Sequence, residues 1–444
     1  MKLQDVKREM LNVPILLLTS NVGSMFEEGR RKKKKRSGHD MIEAWLNSIT
    51  SVVSKYKPKI VCIHCQEVGG KDFNISLPLM ESFIEKFLAL KVLDEFDRGR
   101  IHLDNDSDDI TLFTALGTLY MFHKSLPSIH SWNFVERTYK PVTDRQVFFQ
   151  DFRESTCLLR IKYPKEYFPE ERYSRKGYLH SRYLIGSKPI DLLNIHLFHD
   201  ASNFTAKDRP EYYSEKRRNA LRYVLNKLKT DYPDLHKHPM YMFGDFNFRL
   251  NTRDVIEYLC GGTTQTQTFA NDGDLKAIDY LRAMDRQTIL RLEIKKFDYY
   301  DMGRFTMQAA REFRKFDHEY HTFVGELHEL PIRFPPSYPY SEDLSCGNQF
   351  LGTRCPSWCD RIFASPTGMK AVKDSPVEPV YNSLSPDGCV GDHKPVFLAF
   401  TLRINEEEPQ NGTSSSILDD LQNSFQQVHQ NIDSAMSESS AMEN

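Results

Sequence analysis

Tyr241-Met242-Phe243-Gly244-Asp245-Phe246-Asn247-Phe248-Arg249 is the stretch from which the rest of the chain can be understood. Three apolar, strand-forming residues run into a glycine, which lets the backbone turn sharply as the strand ends. Asp245 and Asn247, two residues apart, then offer an acceptor and a donor to one phosphate group and its attacking water. The competing reading is an Asx turn, in which the aspartate only satisfies nearby backbone. Three other segments share this form: Gln66-Glu67 after residues 60–65, Asn194-Ile195-His196 within 191–197, and Gly391-Asp392-His393 ahead of 396–402. Each sets ionisable groups at the end of an apolar strand, where a sheet edge delivers side chains into a cleft.

Further strand candidates lie at 15–19, 114–122, 157–161, 179–185 and 361–363. Between them, Ile42, Trp45, Leu46 and Ile49, and again Leu221, Val224, Leu225 and Leu228, repeat at helical spacing. Such alternation predicts an α/β architecture with surface helices packed on a sheet. The 444 residues, 40% hydrophobic and 12% aromatic, bury a substantial core. No repeat or long linker interrupts them, so one domain is expected over 1–404. The remainder, 405–444, is rich in Glu, Asn, Gln and Ser and is expected to be a disordered tail.

The formal charge is −2, with Lys+Arg 59 against Asp+Glu 61, so no overall positive field draws the chain onto nucleic acid. The run Arg30-Arg31-Lys32-Lys33-Lys34-Lys35-Arg36 repels itself and reads as an exposed loop, with a nuclear-import or anionic-membrane patch as alternatives. Eight scattered cysteines fit reduced thiols in the cytosol. Cys62 and Cys65, three apart on a strand, face opposite sides and cannot share a metal. The apolar run at 13–18 is too short to cross a bilayer and contains Pro14.

The chemistry follows from the residue types. His393 needs an orienting carboxylate, and Asp360 in Pro356-Ser357-Trp358-Cys359-Asp360-Arg361 is the candidate, set by a proline turn and a large Trp. His196-Leu197-Phe198-His199-Asp200 lacks a third ligand at a spacing that suits zinc. Carboxylates, histidines and asparagines without an activated Ser or Cys point to direct attack by water, with a hard cation such as magnesium. No Gly-rich phosphate loop or GxGxxG motif is present.

Gly244-Asp245-Phe246-Asn247-Phe248-Arg249 and Pro356-Ser357-Trp358-Cys359-Asp360-Arg361-Ile362 resemble the two signature motifs of the inositol polyphosphate 5-phosphatases. The likeness continues through Cys65-Gln66-Glu67, Ser174-Arg175-Lys176-Gly177, Asn194-Ile195-His196-Leu197-Phe198-His199-Asp200, Phe334-Pro335-Pro336-Ser337-Tyr338-Pro339-Tyr340 and Gly391-Asp392-His393-Lys394-Pro395-Val396. It is closest to the type I enzymes, which act on soluble inositol phosphates. The resemblance implies a four-layer sandwich of two packed mixed β-sheets flanked by helices, as in magnesium-dependent nucleases and phosphatases. It implies Mg2+ held by Glu67 with Asn21 beside it, a water positioned or deprotonated by Asp245, and a phosphate held by Asn247. His196 and His393 would stabilise the phosphoryl oxygens, Asp360 would orient His393, and Asp392 would support the metal side. Whether Asp245 or His393 is the formal base stays open.

Lys176, Arg249 and Arg354 are the candidates for gripping substrate phosphates. The implied reaction is removal of the 5-phosphate from inositol 1,4,5-trisphosphate and 1,3,4,5-tetrakisphosphate, ending a calcium signal. The expected protein is a cytoplasmic monomer with a small-molecule partner. The chain finishes Ser440-Ala441-Met442-Glu443-Asn444, without the cysteine box of type I enzymes, so peripheral attachment at the plasma membrane would not use prenylation. A nuclease of the same fold and a catalytically silent inositol-phosphate scaffold are the alternatives.

Overall fold

Val13, Ile15 and Leu17 line one face of the first strand, Met10–Asn21, while Leu16 and Leu18 line the other, and both faces are buried. A strand covered on both sides lies inside a layered structure. The computed structural model describes residues 10–27, 38–70, 73–149, 152–171, 174–306, 310–384 and 389–405. The basic run at 30–36 and the tail at 406–444 lie outside them.

The first sheet has seven strands in the order Val380–Ser383, Val396–Asn405, Met10–Asn21, Ile60–Gln66, Gly117–Phe122, Arg98–Leu103 and Arg145–Phe148. The second runs Asp360–Ala364, Met240–Asp245, Lys188–His196, Gly177–Ile185, Ile129–Asn133 and Thr138–Pro141, with Leu159–Lys162 also paired to Gly177–Ile185. Helix Gly38–Tyr56 lays Ile42, Trp45 and Ile49 on the outer face of the first sheet, and Trp45 meets Phe83 of helix Phe73–Leu88 with ring centroids 5.2 Å apart. Helix Pro210–Asp231 covers the second sheet with Leu221, Val224, Leu225 and Leu228. Each such side chain contributes roughly 1.5–3 kcal/mol on leaving water. The layers are therefore helix, sheet, sheet, helix.

Strands form at all nine expected places, although their ends shift: the first extends outward from 15–19 to Met10–Asn21, and 157–161 becomes Leu159–Lys162. The last strand, Val396–Asn405, runs one residue past the expected domain end at 404. A third sheet was not expected. It is antiparallel, in the order Thr263–Phe269, Leu275–Arg282, Thr288–Glu293 and Lys296–Tyr299, and packs Ile278, Leu290, Leu292 and Phe297 against the central core. Its first strand is almost wholly exposed, so its polar sequence carries no alternation to detect. Cys62 faces the inter-sheet core and Cys65 the helix side, as their spacing requires, and all eight cysteines are free.

The inward rows of the two sheets begin apolar and turn polar at one end. Leu17 is followed on its face by Thr19 and Asn21, Cys62 by His64 and Gln66, Leu192 by Asn194 and His196, and Phe243 by Asp245. All of these polar groups are buried. His64 donates from Nδ1 to the Phe243 carbonyl at 2.9 Å, accepts at Nε2 from the Tyr120 hydroxyl at 2.8 Å, and stacks on the Phe243 ring at 3.5 Å.

Burial holds the His64 and His102 imidazoles down to about 3, in His64 against a smaller opposing effect of the Phe243 carbonyl. The unfolded chain protonates both near 6.5, whereas the folded protein does not until about 3. Below pH 6.5 the unfolded state therefore binds more protons, and stability falls by up to about 1.4 kcal/mol per pH unit for each histidine. The melting temperature is expected to drop between pH 6.5 and 4.5, more gently in the His64→Gln and His102→Gln variants. Parallel pH profiles for variants and parent would contradict this assignment.

Candidate active site

Strand Ile60–Gln66 ends at a residue with positive φ: Glu67 has φ 57°, an uncommon conformation for a side-chain-bearing residue, and it turns the carboxylate out of the strand row. The side chain remains 30% exposed, enough to take a ligand. Gly23 makes room for it. A Cβ at Gly23 would sit 2.7 Å from Glu67 Oε2 and 3.4 Å from Asn21 Oδ1, so a small cradle carries both oxygens. Asn21 Oδ1 also accepts from the Gly23 N–H at 3.1 Å.

Across the gap, Asp245 is 1% exposed at the end of Met240–Asp245. Its Oδ2 accepts from Asn21 Nδ2 at 3.2 Å and lies 3.4 Å from His196 Nε2, which is 3.8 Å from Glu67 Oε1. Its Oδ1 accepts from the Asn247 N–H at 2.8 Å. That last bond is an Asx turn: one oxygen shapes the loop and the other faces Asn21 and His196. Asn247 also has positive φ, at 52°, and donates from Nδ2 to the Leu197 carbonyl at 3.0 Å.

Burial alone would raise the Asp245 pKa, but His393, His196 and Lys176 hold it far below the carboxylate range. Glu67, likewise opposed by burial, is held at about 2 by Lys176, His196 and Arg175. Lys176 bonds to His196 Nε2, and burial lowers it to about 8 despite the attraction of Glu67 and Asp245.

His393 completes the cluster. Its Nδ1 donates to Asp360 Oδ2 at 2.8 Å, and the same oxygen accepts from Ser337 Oγ at 2.7 Å. Asp360 is fully buried at the start of Asp360–Ala364, where the Trp358 indole, donating to the Phe334 carbonyl at 3.0 Å, pins the preceding turn. Burial opposes charge on His393, yet Asp360 and then Asp245 raise its pKa well above the ordinary imidazole value. Ligand atoms of Asp245, Asp360 and His393 lie within 4.8 Å of one another. Within this trio, the His393 Nδ1 hydrogen is given to Asp360.

The remaining candidates divide. Arg249 is 8% exposed, donates from Nη2 to Asn247 Oδ1 at 2.6 Å, lies 4.4 Å from the centroid of the Tyr338 ring, and leaves its buried Nε and Nη1 without a partner. Arg354 makes four bonds to the carbonyls of Ile294, Thr353, Asp200 and Ala201, which occupies most of its five N–H groups in tying the 200 loop to the third sheet. Asp392, next to His393 in the chain, adds to the negative charge that favours the protonated form of that histidine. It accepts from Ser24 Oγ at 3.0 Å, one residue beyond Gly23. Ser337, Tyr338 and Arg175 were not foreseen as site residues. Ser337 and Tyr338 lie in the motif at 334–340, and Arg175 adjoins Lys176; the ring of Tyr338 lies 4.5 Å from that of His393.

The sequence profile described as Endonuclease/Exonuclease/phosphatase family 2 matches residues 273–399. Inositol polyphosphate-5-phosphatase A of Rattus norvegicus is 38% identical over 401 residues, covering 89% of this chain and 95% of the relative, and the Homo sapiens protein gives the same values. The probable type I inositol 1,4,5-trisphosphate 5-phosphatase of Caenorhabditis elegans is 31% identical over 425 residues, covering 88% of this chain and 100% of the relative. With this identity across nearly the whole described fold, and a buried carboxylate and histidine cluster at its polar end, the chain belongs to the inositol polyphosphate 5-phosphatase family.

Proposed function

We propose that this protein hydrolyses the 5-phosphate of soluble inositol polyphosphates, namely inositol 1,4,5-trisphosphate and 1,3,4,5-tetrakisphosphate, in a magnesium-dependent reaction that ends calcium-mobilising signals. The observation that carries the reading is Asp245, ionised and buried, standing between the Asn21–Glu67 cradle and the protonated His393. The oxygen donors of Glu67 and Asn21 suit a hard divalent cation. Mg2+ held there would neutralise charge on the transferring phosphoryl group and the leaving oxygen.

The chain's own groups supply the rest. Asp245 accepts a hydrogen bond from the attacking water and orients it; its strongly depressed pKa makes it a weak proton acceptor, which a loose phosphoryl transition state tolerates. His393, kept protonated by Asp360, donates to a phosphoryl oxygen instead of serving as base. Lys176 and His196, in contact with each other and beside Asp245, add positive and donor groups for the phosphoryl oxygens. Arg249, with two unpaired buried nitrogens, is positioned for a substrate phosphate, and Asn247 accepts from its remaining Nη2. Burial pushes the Cys359 thiol well above its ordinary value, which fits water as the nucleophile. Asp392 supports the cradle through Ser24. No helix among the described residues is long and apolar enough to cross a membrane. We assign the protein to the cytoplasm as a monomer, with any membrane contact peripheral.

Glu67→Gln keeps the shape and removes the charge; phosphate release from inositol trisphosphate is expected to fall at least about 100-fold. Exhaustive chelation should abolish turnover of the parent protein and added Mg2+ restore it, while full activity after chelation, or an obligatory phosphorylated side chain, would end this account. Arg249→Met is expected to raise KM roughly 10- to 100-fold, as loss of a charge-assisted bond requires, and an unchanged KM would remove Arg249 from the substrate contacts. Side-by-side turnover of inositol trisphosphate and the corresponding bisphosphate lipid should favour the soluble compound.

A further inference from the structure

Asn21 ends one strand of the first sheet and Glu67 directly follows another, whereas His196, Asp245 and Asp360 belong to the second. Nothing covalent and local fixes the distance between these two sets. Apolar side chains between sheets attract without direction, so they tolerate a small slide or separation. Hydrogen bonds lose strength steeply with distance and angle and do not.

Directly beneath the catalytic groups, such bonds cross the gap. Asn194, on the inward row two residues before His196, donates from Nδ2 to the Gly117 carbonyl at 2.7 Å and to the Cys65 carbonyl at 3.1 Å, both in the first sheet. Those two carbonyls decide which way its amide faces, leaving Oδ1 to accept from Gln66 Nε2 at 2.8 Å. Gln66 is the residue before Glu67, and its own Oε1 accepts from Thr19 Oγ1 at 3.2 Å. Thr19 in turn is two residues before Asn21 on the same face. Asn194, Gln66 and Thr19 are fully buried. Each amide atom is used, and only one relative placement of the sheets satisfies them all.

We propose that Asn194 and Gln66 are positioning residues, a two-amide spacer that holds Glu67 and Asn21 at working distance from His196 and Asp245. Both touch the strands that carry the reacting groups and neither reaches the cleft. An apolar pair of similar volume would fill the same space, so what the amides add is a fixed distance and register between the sheets. The proposal rests on the hydrolytic reading of the site given above.

The test uses the full chain with Gln66→Asn, Asn194→Gln, and the two combined. Each single variant changes the reach of the pair by one methylene; the combination keeps both amides and restores the total length. For inositol trisphosphate with Mg2+, each single is expected to lose about 10- to 100-fold in kcat with KM within about 3-fold, because misplacement of this order costs that much rate. The combined variant should return to within about 3-fold of the parent kcat. Crystals of the singles should show an altered Glu67 to Asp245 Cα separation, and of the combination the parental one. Parental kcat in the singles would overturn the proposal, as would a folded combination no better than they are. Should a single variant not fold, Thr19→Val replaces it, removing one hydroxyl bond; a loss of about 3- to 10-fold in kcat at constant KM is expected, and parental kcat would count against the spacer. A parent protein that releases no phosphate would sink the hydrolase reading alone, and the Cα separation would then decide the spacer by itself.

Discussion

Contact between two β-sheets is the constraint on which this molecule depends. Neither sheet carries a working set of groups, since the carboxylate and amide at the Gly23 cradle lie on one and the Asp245 and His196 pair on the other. His393, placed just ahead of the last strand of the first sheet, finds its carboxylate partner at the start of the outermost strand of the second. The cluster is therefore a property of the sandwich and not of any motif. The same inward rows that build the apolar core change character over their last two or three residues, and the core becomes the site without a break.

Much of this was legible in the residues. Apolar runs ending in Gln66-Glu67, Asn194-Ile195-His196 and Gly244-Asp245 correctly mark three strands that converge, and Asp360 was paired with His393 from residue types alone. Period-two parity, extended to the ends of those runs, would also have separated Gln66 and Asn194, which point between the sheets, from Glu67, which a positive φ turns outward. Arg354 shows where such reasoning stops. A positive charge beside a signature motif suits a phosphate, but the carbonyls of a nearby loop compete for the same donors, and only the fold reveals that they are in reach. In the third sheet the exposed Thr and Gln strand has no buried face to impose a pattern, whereas Leu290 with Leu292 and Phe297 with Tyr299 do alternate, over runs too short to mark a sheet by themselves.

Electrostatically the site contrasts with the chain as a whole. A formal charge of −2 gives no long-range pull on anions, yet Lys176, Arg175 and protonated His393 act on the Glu67 and Asp245 carboxylates. The cations keep Glu67 and Asp245 ionised against burial, and the carboxylates keep the cations in place.

The first strand pairs along its length with the last, from Met10 opposite Asn405 to Thr19 opposite Val396. During synthesis, the centre of the first sheet must wait while nearly the whole chain is translated, and the helices and strands made meanwhile have an open flank beside Met10–Asn21. His393 is delivered with that closing strand. A ribosome-bound fragment thus lacks both the seal on its core and the imidazole that meets Asp360.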